Sequence, residues 1–263
     1  MLKARVITAL LLSSGLFAVL FLLPAPGSSL VFALIAALAA WEWAGLMKAG
    51  RAARSVYAVA ILLACLIVVW LDGQRLLWLL SAGFWLFVVP LWLFNRWLLS
   101  SLPFLGYVVG AILLLPAWAA MVELQARSPW WLIGVIALVA AADIGAYFAG
   151  RTFGRHKLAP SISPGKTWEG VAGGLAAVAI YAVVIGMLTG RVTGSGWLML
   201  IIAAFLLVAV SILGDLFESM IKRQAGMKDS SQLLPGHGGI LDRVDSLTAV
   251  LPMAVLATLG AGL

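Results

Sequence analysis

Nine charged residues crowd into positions 211–246 of a chain that is otherwise close to hydrocarbon: Asp215, Glu218, Lys222, Arg223, Lys228, Asp229, Asp242, Arg243 and Asp245. Charge at this density beside membrane spans is costly to place and marks function by default. Topology accounts for Lys and Arg in cytoplasmic loops, but not for five interleaved acids. Ser211, Asp215, Ser219 and Lys222 fall at i, i+4, i+8 and i+11, so on a helix they share one face. A face with two hydroxyls, a carboxylate and an ammonium does not suit lipid. The chain then reads Leu-Pro-Gly-His-Gly-Gly over 234–239. Pro235 stops any helix, and the glycines open backbone conformations that bring N–H groups against an anion. Asp215 and Asp242 flank this turn. Two carboxylates together with phosphate oxygens are what a Mg²⁺ site is built from. His237, inside the turn, suits either a phosphate contact or a fastening of the turn itself.

A second polar stretch, residues 150–170, carries Arg151, Arg155, Lys157 and Lys166 against the single acid Glu169. Its Ser163-Pro164-Gly165-Lys166-Thr167 segment stands just ahead of a helix start. There Pro164 and Gly165 shape a turn, Lys166 brings charge, and helix-initial N–H groups face an anion. It is not a nucleotide-binding P-loop, because the leading glycine is absent at the required spacing. The preceding apolar run ends in Ala140-Ala-Ala-Asp143-Ile-Gly145-Ala-Tyr147. Asp143 and Tyr147 are one turn apart, and the small residues around them let neighbouring helices approach.

The elements that must position these residues are membrane spans. Of 263 residues, 64% are hydrophobic and 10% charged, which places the chain among all-α polytopic membrane proteins. Nine apolar runs are legible, at about 5–23, 28–47, 55–71, 76–94, 104–122, 130–149, 171–189, 196–214 and 245–262. Runs this long without alternation do not suit a β-barrel, and strands are not expected. With the N-terminus inside, fourteen Lys and Arg fall on inner segments, against Arg75, Arg127 and Arg191 outside. That bias predicts a cytoplasmic N-terminus, both polar loops in the cytoplasm and an outer C-terminus. The net charge of +7 is spread over loops and does not call for nucleic acid. Residues 1–27 resemble a signal peptide, but the apolar run is long for one, so a retained first span is expected. Cys65 has no intrachain partner. Glu42, near the cytoplasmic end of the second run, could line the site but reads more readily as a satisfied or interfacial acid, and Trp70, Trp78, Trp85, Trp92 and Trp97 read as an interfacial belt. The chain is expected to be one membrane domain with two parts: scaffold helices over 1–100, and a catalytic half over 101–263 with polar loops 150–170 and 215–244.

Two stretches carry a family likeness. Ser219-x-Ile221-Lys222-Arg223-x4-Lys228-Asp229-x-Ser231-x2-Leu234-Pro235-x-His237-Gly238-Gly239-Ile240-x-Asp242-Arg243-Val244-Asp245 resembles the signature of phosphatidate cytidylyltransferases. Ser163-Pro-x-Lys166-Thr167-x-Glu169-Gly170, with Asp143-x-x-Ala-Tyr147-x-x-Gly150 upstream, is similar to the same family. The likeness covers residues 101–263, and the first hundred match only in hydropathy.

Acids for a divalent cation and bases for phosphates, on one side of a lipid-embedded bundle, suggest phosphoryl or nucleotidyl transfer to a lipid. The resemblance makes this concrete: CTP and phosphatidate would give CDP-diacylglycerol and pyrophosphate, in the inner (cytoplasmic) membrane with the site facing the cytoplasm. On this reading Asp215 and Asp242 hold Mg²⁺, with Asp143 near a possible second cation. Lys166, Lys222, Arg223, Lys228 and Arg243 neutralise phosphates. Ser163, Thr167, Ser219, Gly238 and Gly239 contact substrate, and Asp229 and Asp245 orient the cations. The resemblance also implies a homodimer. The alternatives are a CTP-dependent polyprenol or lipid kinase, and a transporter built on Asp143.

Overall fold

A computed structural model describes residues 2–99, 102–190 and 192–260, without the side chains of residues 2–5 and 103. Arg191, one of the three cations expected outside, lies outside the described residues, as do the side chains of Lys3 and Arg5 and the end of the last run beyond 260.

The apolar runs fold as helices because a spanning backbone must satisfy its own N–H and C=O groups. In chain order they are α1 (Leu2–Leu22), α2 (Ala25–Leu46), α3 (Arg51–Leu71), α4 (Gln74–Gly83), a π-helical segment (Phe84–Val88), α5 (Val89–Asn95), α6 (Pro103–Arg127) and α7 (Pro129–Phe153). The strands β1 (Lys157–Ala159) and β2 (Ser163–Thr167) follow, then α8 (Trp168–Thr189), α9 (Gly196–Gln224) and α10 (Leu241–Gly260). Among the described residues eight helices are long and apolar enough to cross a membrane, with α4 to α5 taken as one, and Val6–Leu22 of α1 is a shorter apolar helix.

The helix ends differ from the sequence reading where it matters. Helix α9 runs on to Gln224, and α10 starts at Leu241 instead of Asp245, so Asp242 and Arg243 sit in its first turn. The 150–170 stretch contains a small antiparallel hairpin, with Lys157 opposite Thr167 and Ala159 opposite Ser163. No strand was expected there. Outside helices, pairing the two arms of a short turn satisfies backbone groups that would otherwise lie bare.

The tryptophans divide. Trp70 and Trp97 are exposed, but Trp78, Trp85 and Trp92 are buried and do not form a belt. The π-helical segment turns Phe84 and Trp85 inward. Together with Trp92 they meet Phe217 of α9 edge-on, with ring centroids 5.7–5.9 Å apart. Edge-to-face rings of this kind stabilise beyond their burial, and here they anchor the turn of α9 next to Glu218.

Two further packings set the site. Helices α7 and α8 approach so closely that a Cβ on Gly145 would lie 2.6 Å from Ala177 Cβ and from the Gly173 carbonyl oxygen. Small residues at such a crossing bring Asp143 and the hairpin onto one side of the bundle. Helix α2 is fixed on α6 by the Trp43 indole N–H, which donates to the Gly106 carbonyl at 2.8 Å. One end of the bundle gathers Thr8, which donates to the Pro235 carbonyl at 3.0 Å, and Gln224, which donates to the Trp97 carbonyl at 2.9 Å. The other end holds the Glu123–Arg127 pair, with Arg127 also bonded to Thr258. The 215–244 loop and the start of α1 therefore share one end.

Candidate active site

Helix α8 begins where Thr167 ends β2. The Thr167 hydroxyl accepts the Gly170 N–H at 3.1 Å, which caps the helix. Glu169 in that first turn accepts both the His156 N–H at 3.2 Å and the His156 ring nitrogen at 2.6 Å, closing the base of the hairpin. The hairpin so held directs Lys166 across to α9, where its Nζ lies 2.5 Å from Asp215 Oδ2. On the other Asp215 oxygen, Ser219 donates from one turn away at 3.1 Å. The helical face read from the sequence is real, and its ammonium partner comes from the other loop. Asp143 of α7 interacts electrostatically with both Asp215 and Lys166.

One turn further along α9 is a second ion cluster. Lys222 Nζ is 2.7 Å from Asp242 Oδ1 and 3.1 Å from Glu218 Oε1. All three side chains are buried, and Glu218 Oε2 has no hydrogen-bond partner among the described residues. Asp245 feels the charges of Asp215, Lys222 and Lys166, and so links the two clusters. Gly214 makes this possible: a Cβ there would stand 3.0 Å from the Asp245 carbonyl oxygen, so α9 and α10 meet backbone to backbone.

The Gly-rich turn does receive an anion, and that anion is the chain's own. Gly236 and Gly238 have φ of +77°, a left-handed conformation suited to glycine. The turn closes through a bond from the Leu234 N–H to the Gly238 carbonyl at 2.8 Å. The Gly239 N–H donates to Asp242 Oδ2 at 2.8 Å, the Ser230 N–H at 2.9 Å, and the Ser230 hydroxyl lies 3.0 Å away. His237 is half-buried, and among the described residues its buried Nδ1 has no hydrogen-bond partner.

The expected site residues therefore sort by place. Lys166, Asp215, Ser219, Lys222, Asp242, Gly238, Gly239 and, electrostatically, Asp143 and Asp245 converge. Arg223, Lys228, Asp229 and Arg243 are exposed. Ser163 is half-buried in β2, and Thr167 is buried as a helix cap. Asp215 pairs with Lys166 and Asp242 with Lys222, so each carboxylate takes its cation from a different element and not from its sequence neighbours. Glu42, Glu218 and Ser230 were not singled out as site residues. Glu218 was legible as the i−4 neighbour of Lys222. Glu42 of α2 was legible only as an acid interrupting an apolar run; its partners, almost two hundred positions away, were not.

Among the described residues no group of three or more His, Cys, Asp or Glu is gathered to hold a metal by protein ligands alone. Mg²⁺ commonly takes one or two carboxylates and fills its shell with water and phosphate. Asp215 fits that donor set, since each of its oxygens meets a single donor and keeps a free lone pair. Asp242 fits less freely: Oδ2 is crowded by three donors, and only Oδ1, beside Lys222, has acceptor capacity left.

A family model described as the cytidylyltransferase family matches residues 3–259. The chain is 42% identical to a phosphatidate cytidylyltransferase of Pseudomonas aeruginosa, over 100% of this chain and 98% of the relative. It is 38% identical to one of Haemophilus influenzae, over 96% of each chain, and 37% identical to one of Brucella suis, over 82% of this chain and 78% of the relative. The likeness thus extends through the first hundred residues, which matched only in hydropathy when the sequence was read alone.

Proposed function

This chain belongs to the cytidylyltransferase family, and from that premise we propose that it joins CTP to phosphatidate, releasing pyrophosphate and leaving CDP-diacylglycerol in the membrane. The observation that carries the reading is the Lys166–Asp215 pair, which unites two polar segments from opposite sides of α8 in one site.

A phosphate oxygen of phosphatidate attacks the α-phosphorus of CTP in line. The new P–O bond forms as the bond from the α-phosphorus to the bridging oxygen of the pyrophosphate breaks, and the electron pair leaves with pyrophosphate. Phosphatidate is already nucleophilic near neutral pH, so no protein base is required. Lys166 holds the triphosphate from the hairpin, and Lys222 faces the reacting phosphates from α9. The exposed Arg223, Lys228 and Arg243 draw in anionic substrates and hold the departing pyrophosphate. Positioning and charge neutralisation are most of what phosphoryl chemistry asks of a protein. Asp215, with Asp143 close by and one oxygen of Asp242, would hold Mg²⁺. The ion would supply neutralisation of the phosphate charge and alignment of the two substrates. The lipid reaches the site laterally from the inner leaflet of the cytoplasmic membrane, and CTP from the cytoplasm, in keeping with the charge bias of the loops.

The test follows the phosphorus. Purified protein in phosphatidate micelles is given CTP labelled at either the α or the γ phosphorus. The α-label is expected in lipid and the γ-label in pyrophosphate. A γ-label in lipid would mean a kinase, and would overturn the reading.

A further inference from the structure

We propose that Glu42 of α2 is a positioning residue for this transfer: it clamps both ends of the 230–241 loop, and thereby fixes Asp242 and Lys222. The inference rests on the proposed reaction for its functional meaning, and on geometry for the clamp.

Glu42 is fully buried. A carboxylate so placed is tolerable only when donors surround it. Four do, and all come from the loop. Oε1 accepts from the Ser231 hydroxyl at 2.6 Å and the Ile240 N–H at 3.0 Å. Oε2 accepts from the Leu241 N–H at 2.7 Å and lies 3.1 Å from the Ser230 hydroxyl. The loop's first and last residues are thus tied to a single side chain. Ile240 directly precedes α10 and Leu241 opens it, and the first N–H groups of a helix have no partners within it. A carboxylate there also answers the positive end of the helix dipole, so Glu42 caps α10 from a different helix.

From the clamp a continuous path leads to the reacting groups. The Ser230 hydroxyl lies between Glu42 Oε2 and Asp242 Oδ2, at 3.1 and 3.0 Å. It has one proton to give, so it serves one carboxylate at a time, while the Ser230 and Gly239 N–H groups keep Asp242 in place. Asp242 in turn holds Lys222. Gly239 is required for this fit, because a Cβ there would stand 2.6 Å from each Glu42 oxygen. Helix α2 is itself packed in around Glu42, with Ala40, Trp43 and Ala44 fully buried beside it.

Two readouts separate positioning from simple support: hydrogen–deuterium exchange of peptides covering 229–242, and steady-state kinetics per folded molecule. Both are taken in detergent on the full-length wild-type, Glu42→Gln and Glu42→Asp proteins. Gln keeps the shape but turns one acceptor into a donor that faces donors. The expected result is faster exchange confined to this loop. kcat should fall about tenfold or more in Glu42→Gln, with KM for CTP changed much less, and be partly restored in Glu42→Asp. Faster exchange with wild-type kcat would overturn the positioning role, and unchanged exchange would overturn the clamp. If Glu42→Gln does not fold, Ser231→Ala removes one donor near the rim and is read the same way, with a smaller fall in kcat expected. Absence of cytidylyl transfer by the wild-type protein would sink the proposed reaction, and the exchange result would still judge the clamp.

Discussion

Lys166 and Asp215 stand 2.5 Å apart, nitrogen to oxygen, yet they come from a surface hairpin and from the C-terminal half of a long apolar helix. Each is only partly exposed, and each is proposed to meet substrate. The pair therefore holds the proposed phosphate ligand and the proposed metal ligand in contact, at the place where the 150–170 segment and α9 meet.

Lys166→Ala should weaken CTP use more than it harms the fold. Lys166 lies in a two-stranded hairpin whose base is held by Glu169, His156 and Thr167. Loss of a charge-assisted phosphate contact should cost about 1.5–3 kcal/mol, on the order of tenfold to a hundredfold in kcat/KM. Wild-type kinetics from a folded Lys166→Ala protein would remove the hairpin from the site.

The two aspartates should respond differently to loss of charge. Asp215→Asn should fold well, since the carboxylate is partly exposed, yet nearly abolish turnover, with raised Mg²⁺ restoring part of it. Asp242→Asn should lose stability as well, because it leaves buried Lys222 with one partner. Removing one member of a buried pair costs on the order of 3 kcal/mol. Thermal unfolding and Mg²⁺ titration of both variants check this. Equal melting temperatures with equal Mg²⁺ dependence would contradict the division of roles.

Gly239→Ala should destabilise the loop without removing any charge. The added methyl would meet both Glu42 oxygens at 2.6 Å and also the Ser230 hydroxyl. Overpacking of this sort costs about 1–3 kcal/mol. The check is limited proteolysis within 225–240 against the wild type, where equal resistance would show that the loop has room to shift.

Sidedness can be read with cysteines. In a Cys65→Ala background, cysteines at Ser161 and Gln232, both exposed, should be protected from impermeant reagents in intact cells and react after lysis. Gln232 is preferred to Ser231, whose hydroxyl is bound to Glu42. Labelling from outside would put the polar loops on the wrong side for cytoplasmic CTP.

Much of this was legible in the sequence for a physical reason. Hydrocarbon dictates helices, so length and composition give the spans. The 3.6-residue repeat places Asp215 and Ser219 on one face, and their bond at 3.1 Å follows directly. The i, i+4 spacing of Glu218 and Lys222 likewise gives their ion pair at 3.1 Å, whereas the cap that Thr167 supplies to α8 was not read from the sequence.

What the sequence by itself determined is the bundle, the helical face of α9 and the gathering of charge in two segments, all set by neighbours within a few turns. Only the tertiary structure decided which charge meets which. Lys166 reaches Asp215, Lys222 turns to Asp242, the Gly-rich turn closes on Asp242, and Glu42 holds the loop from the far end of the chain. Local spacing carries no information on such pairs. They are selected when helices pack and each buried charge must find donors or a counter-charge from whatever element lies opposite.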